Sequence, residues 1–180
     1  MSRQSLLPLF AVLVVSTACA GDLPISPTSA SSISGARPAA LAASQARPVG
    51  GRCETTLTPA AAKPGDPAGS QRLRIAYACQ LTHLGHTTAI ADQLVIFTGP
   101  TSAIASNTTT YTAANGDQLF ATWTSTSVSI IGPAITFSGA ETYAGGTGRF
   151  VGASGSTEIS GTASFITFTG QFTAVGTLGY

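Results

Sequence analysis

The feature that most limits how this chain can fold is an alternation of apolar and polar residues that begins near residue 72. In residues 72–79 the even positions are arginine or alanine, while the odd positions are all apolar: Leu73, Ile75, Tyr77 and Cys79. Successive side chains of a β-strand point to opposite faces, so this pattern predicts a strand with one buried face. Cys79 is then expected to point inward.

Further strands are predicted toward the C-terminus. Residues 118–124 place Leu119, Ala121 and Trp123 on one face, and residues 108–114 form a threonine-rich strand before them. Asn115 and Gly116 between the two strands predict a hairpin with a type I′ turn, which needs positive φ at both positions.

Near the C-terminus the apolar positions change from odd to even. The even-numbered apolar residues of the predicted last strand are Ile166, Phe168, Phe172 and Ala174. A change of parity reverses the face that is buried, so we expect a turn or bulge between residues 161 and 165.

These strands predict an all-β domain. Charged residues make up 8% of the chain, and the 20 glycines punctuate segments rich in β-branched threonine. No helical period competes with the alternation. We expect a single closed or nearly closed antiparallel barrel of seven to eight strands over residues 51–180, since closure leaves no exposed edge.

The N-terminus predicts export. Arg3 precedes an apolar run over residues 6–15, and Ser16, Thr17, Ala18 and Cys19 follow it. A run of about ten apolar residues is about half of what a membrane-spanning helix needs. Residues 1–18 resemble a bacterial lipoprotein signal peptide, in which the cysteine after the cleavage site carries lipid. This resemblance implies a chain anchored to the cell envelope through Cys19.

The sequence also contains an alternative site at which the signal peptide could be cleaved. Ala18, Cys19 and Ala20 also read as an A-x-A site, and cleavage before Gly21 would give a soluble secreted or periplasmic protein. The chain has three cysteines, and pairing Cys53 with Cys79 leaves Cys19 without a partner, which favours lipidation of Cys19. The alternative for the pair is two free buried thiols.

Residues 19–50 predict a disordered tether, because they are rich in proline, alanine and serine and show no apolar periodicity.

The mature chain is expected to be nearly neutral. Removal of the signal peptide takes Arg3 away, which leaves seven Lys and Arg residues against seven Asp and Glu residues. The cations are scattered rather than clustered, so no nucleic-acid partner is predicted.

A glycine-rich segment over residues 145–155 carries the most specific pattern of the chain. It reads Gly-Gly-Thr-Gly-Arg-Phe-Val-Gly-Ala-Ser-Gly. Val151 stands where a dinucleotide fingerprint needs glycine, and a strand rather than a helix follows, so we expect a tight connection in which Phe150 plugs the core. No cofactor is predicted. The segment resembles the C-terminal half of allene oxide cyclase-like and dirigent-like β-barrels. Residues 111–119 and 83–85 resemble segments of exported bacterial members of that barrel group. The resemblance implies an eight-stranded barrel with a central cavity.

Glu141 is the one candidate catalytic residue, and it is a weak one. It shares odd parity with Phe137 and Tyr143, so it could face an apolar cavity, where burial would raise its pKa. The favoured alternative is that a bulge at Gly139 turns it outward or that it lies in water at the barrel rim. Asp92 raises the same question, and an acid pair of Asp92 with Glu141 is a further hypothesis.

No metal site is predicted. His83 and His86 are three residues apart, which on a strand places them on opposite faces, and no third ligand accompanies them.

The leading functional hypothesis is therefore a cell-envelope lipoprotein whose barrel binds an apolar small molecule, or serves as an interaction module, without catalysis. Trp123, Tyr143 and Phe137 are the candidate ligand-binding residues. The alternative is a cyclase or isomerase that resembles the allene oxide cyclase group, with Glu141, Tyr143 and Trp123 beside the substrate. That alternative predicts a cavity of a few hundred Å³, as ligand pockets usually have.

Overall fold

The computed structural model describes residues 45–180, which form eight strands in one closed antiparallel barrel. The strands are β1 Arg47–Ala60, β2 Gln71–Leu81, β3 Gly85–Gly99, β4 Ser102–Thr112, β5 Gln118–Ile131, β6 Ala134–Gly146, β7 Ser154–Ser164 and β8 Thr169–Gly179. Each strand pairs with the next along the chain, and β1 pairs with β8 to close the sheet. The predicted fold class, an all-β antiparallel barrel, is confirmed.

The N-terminal predictions fall mostly outside this region. The signal peptide over residues 1–18, the lipidation site Cys19 and the tether up to residue 44 lie outside the described residues. Strand β1 begins at Arg47, four residues before the predicted start of the domain at residue 51. Within residues 45–180, no helix has the length and apolar character needed to cross a membrane.

The alternation has the predicted structural meaning. In β2 the buried and exposed residues alternate, with Leu73, Ile75 and Tyr77 inside the barrel. In β5 Leu119, Ala121 and Trp123 are buried while Phe120 points outward. Inward side chains from all eight strands make a single core.

Two predicted turns differ from the structure. The hairpin at Asn115 and Gly116 is present, but only Gly116 has positive φ, at 87°. The Gly116 amide donates to the Ala113 carbonyl at 2.9 Å, and the Ala113 amide donates to Asp117 at 2.9 Å. The prediction of a type I′ turn is wrong, because the loop spans five residues and a single left-handed glycine closes it.

The last turn lies later than predicted. Strand β7 continues to Ser164, which pairs with Thr169 at the start of β8. Residues 165–168 form the turn, so Ile166 and Phe168 are exposed turn residues rather than core positions of a strand. The change from odd to even apolar positions predicted a turn between residues 161 and 165, a few residues before the observed turn at residues 165–168.

The predicted disulfide between Cys53 and Cys79 is present. The two residues are direct cross-strand partners on β1 and β2, and both side chains are buried. The bond therefore joins the first two strands near the Gly51–Leu81 end of their ladder and encloses the loop between them.

The two ends of the barrel differ. The closed end carries the glycine-rich loop over residues 147–153, and Phe150 of that loop is fully buried among Leu119 and Leu178 of the core. Tyr180 packs against Phe150 with ring centroids 5.2 Å apart. The open end carries the turns between β1 and β2, β3 and β4, β5 and β6, and β7 and β8. The prediction that Phe150 plugs the core is confirmed.

An ion-pair cluster ties the loop over residues 61–70 to the outside of the barrel. Arg72 donates two hydrogen bonds to the Asp66 carboxylate, at 2.8 and 2.7 Å, and a third to Asp92 at 2.8 Å. Lys63 also contacts Asp92. The hydrogen bonds from Arg72 lower the pKa of Asp66 to about 2, and those from Lys63 and Arg72 lower the pKa of Asp92.

The contacts of Asp92 with Lys63 and Arg72 show that its side chain points outward. The hypothesis of an Asp92–Glu141 acid pair is therefore wrong.

Candidate functional site

The open half of the barrel contains an internal cavity of about 80 Å³. Its walls are mainly apolar side chains from all eight strands. Residues that line it include Leu73, Val95, Ile130, Ile135, Phe137 and Ile159. Its lining residues nearest the open end, such as Ile130 and Phe165, are partly exposed, whereas those at mid-barrel are buried. The cavity is thus a pocket that begins at the open end and has its floor at the middle of the barrel.

Glu141 lies on the floor of this cavity. Its side chain is 1% exposed, and it is the one buried carboxylate among the described residues. Its position at the rim, which the sequence analysis favoured, is wrong. The odd-numbered residues of β6 face the barrel interior along the whole strand. The irregularity beside Gly139 lies on the partner strand β5, between Ser125 and Ser127, so it does not reverse the faces of β6.

Glu141 is held by two hydroxyl groups, one from the adjacent strand β7 and one from β4, which lies beyond β5. Tyr111 on β4 donates to the carboxylate, with its Oη 3.0 Å from both oxygens. Thr157, its cross-strand partner on β7, donates to Oε2 at 3.5 Å. Burial raises the pKa of Glu141 to about 7, although the two hydrogen bonds act in the opposite direction. Near neutral pH this carboxyl group is therefore divided between its neutral and charged forms.

A second polar group of side chains lies next to this acid. Asn107 donates to the hydroxyl of Tyr77 at 3.5 Å, and Thr109 donates to Asn107 Oδ1 at 2.9 Å. Burial, and then the charge of Glu141, raises the pKa of Tyr77 and of Tyr111, so both phenols remain protonated. The floor of the cavity is thus a layer of hydroxyl and amide groups within an otherwise apolar barrel.

The sequence analysis did not identify Tyr111, Thr157 or Asn107 as site residues. Tyr111 has an odd position in the strand that was expected at residues 108–114, which was a usable sign that it faces inward, whereas Asn107 lies before that predicted strand and inside the longer observed one. The contact of Tyr111 with Glu141 depends on pairing across the three strands β4, β5 and β6. That pairing follows from closure of the barrel and carries no local signal.

The predicted ligand-binding residues have different positions. Trp123 and Phe137 line the cavity and pack edge to face with ring centroids 6.0 Å apart. Tyr143 lies deeper, where its hydroxyl is 3.3 Å from that of Thr157, and it is not among the lining residues. Whether any of them binds a ligand stays a prediction.

Trp123 has one unsatisfied group. Among the described residues, its indole Nε1 is the buried side-chain polar atom that has no hydrogen-bond partner. The indole packs against Gly139, where an added Cβ would lie 2.7 Å from Nε1. A buried donor without a partner carries a free-energy cost, which this N–H contributes to the folded barrel.

In the part of the chain that the structure describes, no group of three or more His, Cys, Asp or Glu residues could hold a metal ion. His83 lies in the turn between β2 and β3 with φ 66°, and His86 is exposed on β3.

The size of the cavity limits its chemistry. A volume of about 80 Å³ has room for roughly six water molecules. This is smaller than the few hundred Å³ that the cyclase or isomerase alternative predicts. A slim molecule of about six non-hydrogen atoms would fill it, with its apolar part against the walls and one polar group near Glu141.

No family model matches the chain, and no curated protein matches it. Among solved structures, the chain is similar to a protein of unknown function from the DUF3224 family of Shewanella oneidensis MR-1, at 14% identity and a TM-score of 0.46. The similarity covers 73% of this chain and 96% of that one. A similarity this distant indicates nothing about activity, and the resemblance to allene oxide cyclase-like and dirigent-like barrels stays a prediction.

Proposed function

We propose that this chain is a cell-envelope lipoprotein whose barrel binds a slim, mainly apolar small molecule that carries one polar group. The observation that supports binding is the cavity itself, which has apolar walls and a single acid, Glu141, at its floor. Ligand pockets commonly combine an apolar lining with a few polar groups that fix the orientation of the ligand.

The polar floor suits a ligand group that can both donate and accept hydrogen bonds. Below its pKa of about 7, Glu141 has a proton to donate, and above it the carboxylate accepts. A hydroxyl group can satisfy either form. The apolar remainder of the ligand would replace water at side chains such as Val95, Ile135 and Phe137.

Straight-chain alcohols from n-butanol to n-octanol test this proposal. Isothermal titration is expected to detect binding, with the highest affinity near n-hexanol, because longer chains exceed the cavity. Ala163→Phe should abolish binding, since Ala163 lines the cavity near the open end. The matched control is Ala76→Phe, which adds the same ring at an exposed position on β2. Equal binding by both variants, or none by the unmodified chain, would contradict the proposal.

The envelope location rests on the sequence of residues 1–19 and on the pairing of the other two cysteines. The disulfide uses Cys53 and Cys79, so Cys19 has no cysteine partner within its own chain. Intact-mass measurement of the protein purified from membranes should show a diacylglycerol-modified N-terminal Cys19. A mature chain that begins at Gly21 would disprove lipidation and favour the soluble secreted or periplasmic form.

A second candidate function is acid–base catalysis of the isomerase type, and the observation that favours it is the pKa of Glu141 near 7. A buried acid with a pKa near the operating pH can remove a proton from a substrate and return it. Allyl methyl ketone is small enough to test this. Glu141 would take a proton from the carbon between the carbonyl and the alkene, and deliver it to the terminal alkene carbon as the double bond moves.

Absorbance of the conjugated product measures this reaction. Turnover that disappears in Glu141→Gln, while n-hexanol still binds, would support catalysis. Absence of any turnover above that of Glu141→Gln would leave the binding function alone.

A further inference from the structure

We propose that the open end of the barrel docks on a lipid surface, so that the mouth of the cavity faces the acyl region of the membrane. This inference rests on the proposed function, because it assumes the lipid on Cys19 and an apolar ligand. It concerns the outer surface, and it follows from side chains that the binding site does not use.

Large apolar side chains are concentrated on the outside of the open end. Of the nine exposed large hydrophobic residues within residues 45–180, five lie there. We call them the apolar rim: Phe97, Ile104, Ile131, Ile166 and Phe168. Ile131 is 74% exposed and Ile166 is 75% exposed, so the most prominent members sit at the tips of turns. Exposed apolar clusters of this kind mark interaction sites.

Hydrogen bonds between turns make the apolar rim continuous. The Phe165 amide donates to the Pro133 carbonyl at 2.9 Å, which joins the turn of Ile166 to the turn beside Ile131. The Ile130 amide donates to the Thr101 carbonyl at 2.8 Å, and this links the turn between β3 and β4 to the same arc. The turns that carry the rim residues therefore lie side by side around the mouth.

The same arc has no charge, whereas the charged side chains of Lys63 and Asp66 lie outside it, on the loop between β1 and β2. The sequence contains no Asp, Glu, Lys or Arg between Asp117 and Glu141, and none after Glu158. The uncharged segments supply the open-end turns that carry Ile131, Ile166 and Phe168. A surface that enters the acyl region of a bilayer must lack charges there, because charged groups are expensive in hydrocarbon. Uncharged lipid is the partner that this chemistry fits.

The length of the N-terminal segment permits this orientation. Strand β1 starts at the closed end, and 28 residue steps separate Cys19 from Arg47. Such a segment spans at most about 90 Å. The 14 residues of β1 rise about 46 Å along the strand, so the height of the tilted barrel is less than this. A chain anchored at Cys19 can therefore bring the open end to the membrane.

The apolar rim also explains access to the cavity. An apolar ligand dissolves in the bilayer rather than in water, and the rim surrounds the entrance through which it would pass. Docking of the mouth would let the ligand enter the barrel without crossing water.

A fluorescent label tests the inference in the full lipidated chain. Ile166→Cys labelled with the environment-sensitive fluorophore NBD is reconstituted in phosphatidylcholine vesicles, and Cys19 does not react because its thiol carries lipid. Its emission should shift to the blue, and lipids with a nitroxide on the acyl chain should quench it. The matched control is labelled Val151→Cys, because Val151 is 72% exposed at the closed end. Its emission should stay that of a label in water.

Other outcomes would overturn the inference. Equal behaviour of the two labels would show that the open end is not preferred. A blue shift without quenching by nitroxide lipid would show that a second copy of the chain covers the rim. A chain without lipid on Cys19 would remove the anchor and also overturn the inference. A second variant, Ile131→Ser with Ile166→Ser, labelled instead at a cysteine that replaces Thr167, should lose the blue shift.

Titration of the same chain with n-hexanol separates this inference from the proposed function. Hexanol binding with a label that remains in water overturns the docking inference alone. A label in the bilayer without hexanol binding overturns the proposed ligand binding and leaves the docking surface in place.

Discussion

Replacement of Glu141 by glutamine should remove most of the pH dependence of stability between pH 5 and pH 8. Glu141 has a pKa of about 7 in the folded barrel, against an ordinary value of 4.5. Between these values the folded chain holds a proton that the unfolded chain has released. The free energy of unfolding should therefore fall as the pH rises from about 4.5 to about 7, and it should level off above pH 7.

The size of the effect follows from the difference between the two pKa values. A difference of about 2.5 at about 1.4 kcal/mol for each pKa unit corresponds to about 3 kcal/mol. Glutamine has nearly the same shape and still accepts a hydrogen bond from Tyr111, but it does not ionise. Glu141→Gln should therefore be more stable than the unmodified chain at pH 8 by about 1–3 kcal/mol, and similar to it near pH 5.

Urea unfolding at pH 5, 6, 7 and 8, followed by the fluorescence of Trp123, measures these free energies. Trp123 is the one tryptophan of the chain and it is buried, so its emission reports unfolding of the barrel. The control is Glu158→Gln, which removes an exposed carboxylate from the adjacent strand β7 and should leave the pH dependence unchanged. The reasoning fails if Glu141→Gln keeps the slope of the unmodified chain.

Three further predictions concern the framework around the site. Replacement of both Cys53 and Cys79 by serine should lower the free energy of unfolding by about 3–4 kcal/mol in the chain-entropy model, as measured in urea, since the disulfide encloses a loop with a sequence separation of 26. Phe150→Ala should lower the free energy of unfolding by about 3–5 kcal/mol, because it opens the closed end of the barrel. Val151→Ala beside it should change this free energy little, and equal losses in the two variants would contradict the role of Phe150 as a plug. Arg72→Ala should increase amide hydrogen exchange across residues 61–70, which lose both hydrogen bonds to Asp66, and unchanged exchange there would show that the ion pairs do not hold the loop.

Most of the fold could be predicted because alternation is a local property. The faces of Leu73, Ile75 and Tyr77 follow from period-2 spacing alone, and they are buried as predicted. The positions of the turns were harder to predict from the sequence. Ile166 and Phe168 continue the even parity of β8 but lie in the turn, because the pairing of Ser164 with Thr169, and not hydropathy, fixes where the strands end.

The site was harder to predict than the fold. The odd parity of Glu141 indicated an inward side chain, but the known rarity of buried carboxylates favoured a position at the rim. The structure resolves this through Tyr111, two strands before Glu141, and Thr157, its partner on the following strand, which satisfy the carboxyl group inside the barrel. Long-range partners of this kind decide whether a polar residue can be buried, and one sequence does not reveal them.

The most direct test of the central claim is a crystal structure of the protein soaked with a terminally brominated butanol. The account predicts anomalous scattering from bromine between the apolar walls of the cavity, near Ile135 and Phe137, with the hydroxyl group toward Glu141. An empty cavity, or bromine only on the outer surface of the barrel, would contradict the claim that this barrel binds a slim apolar molecule.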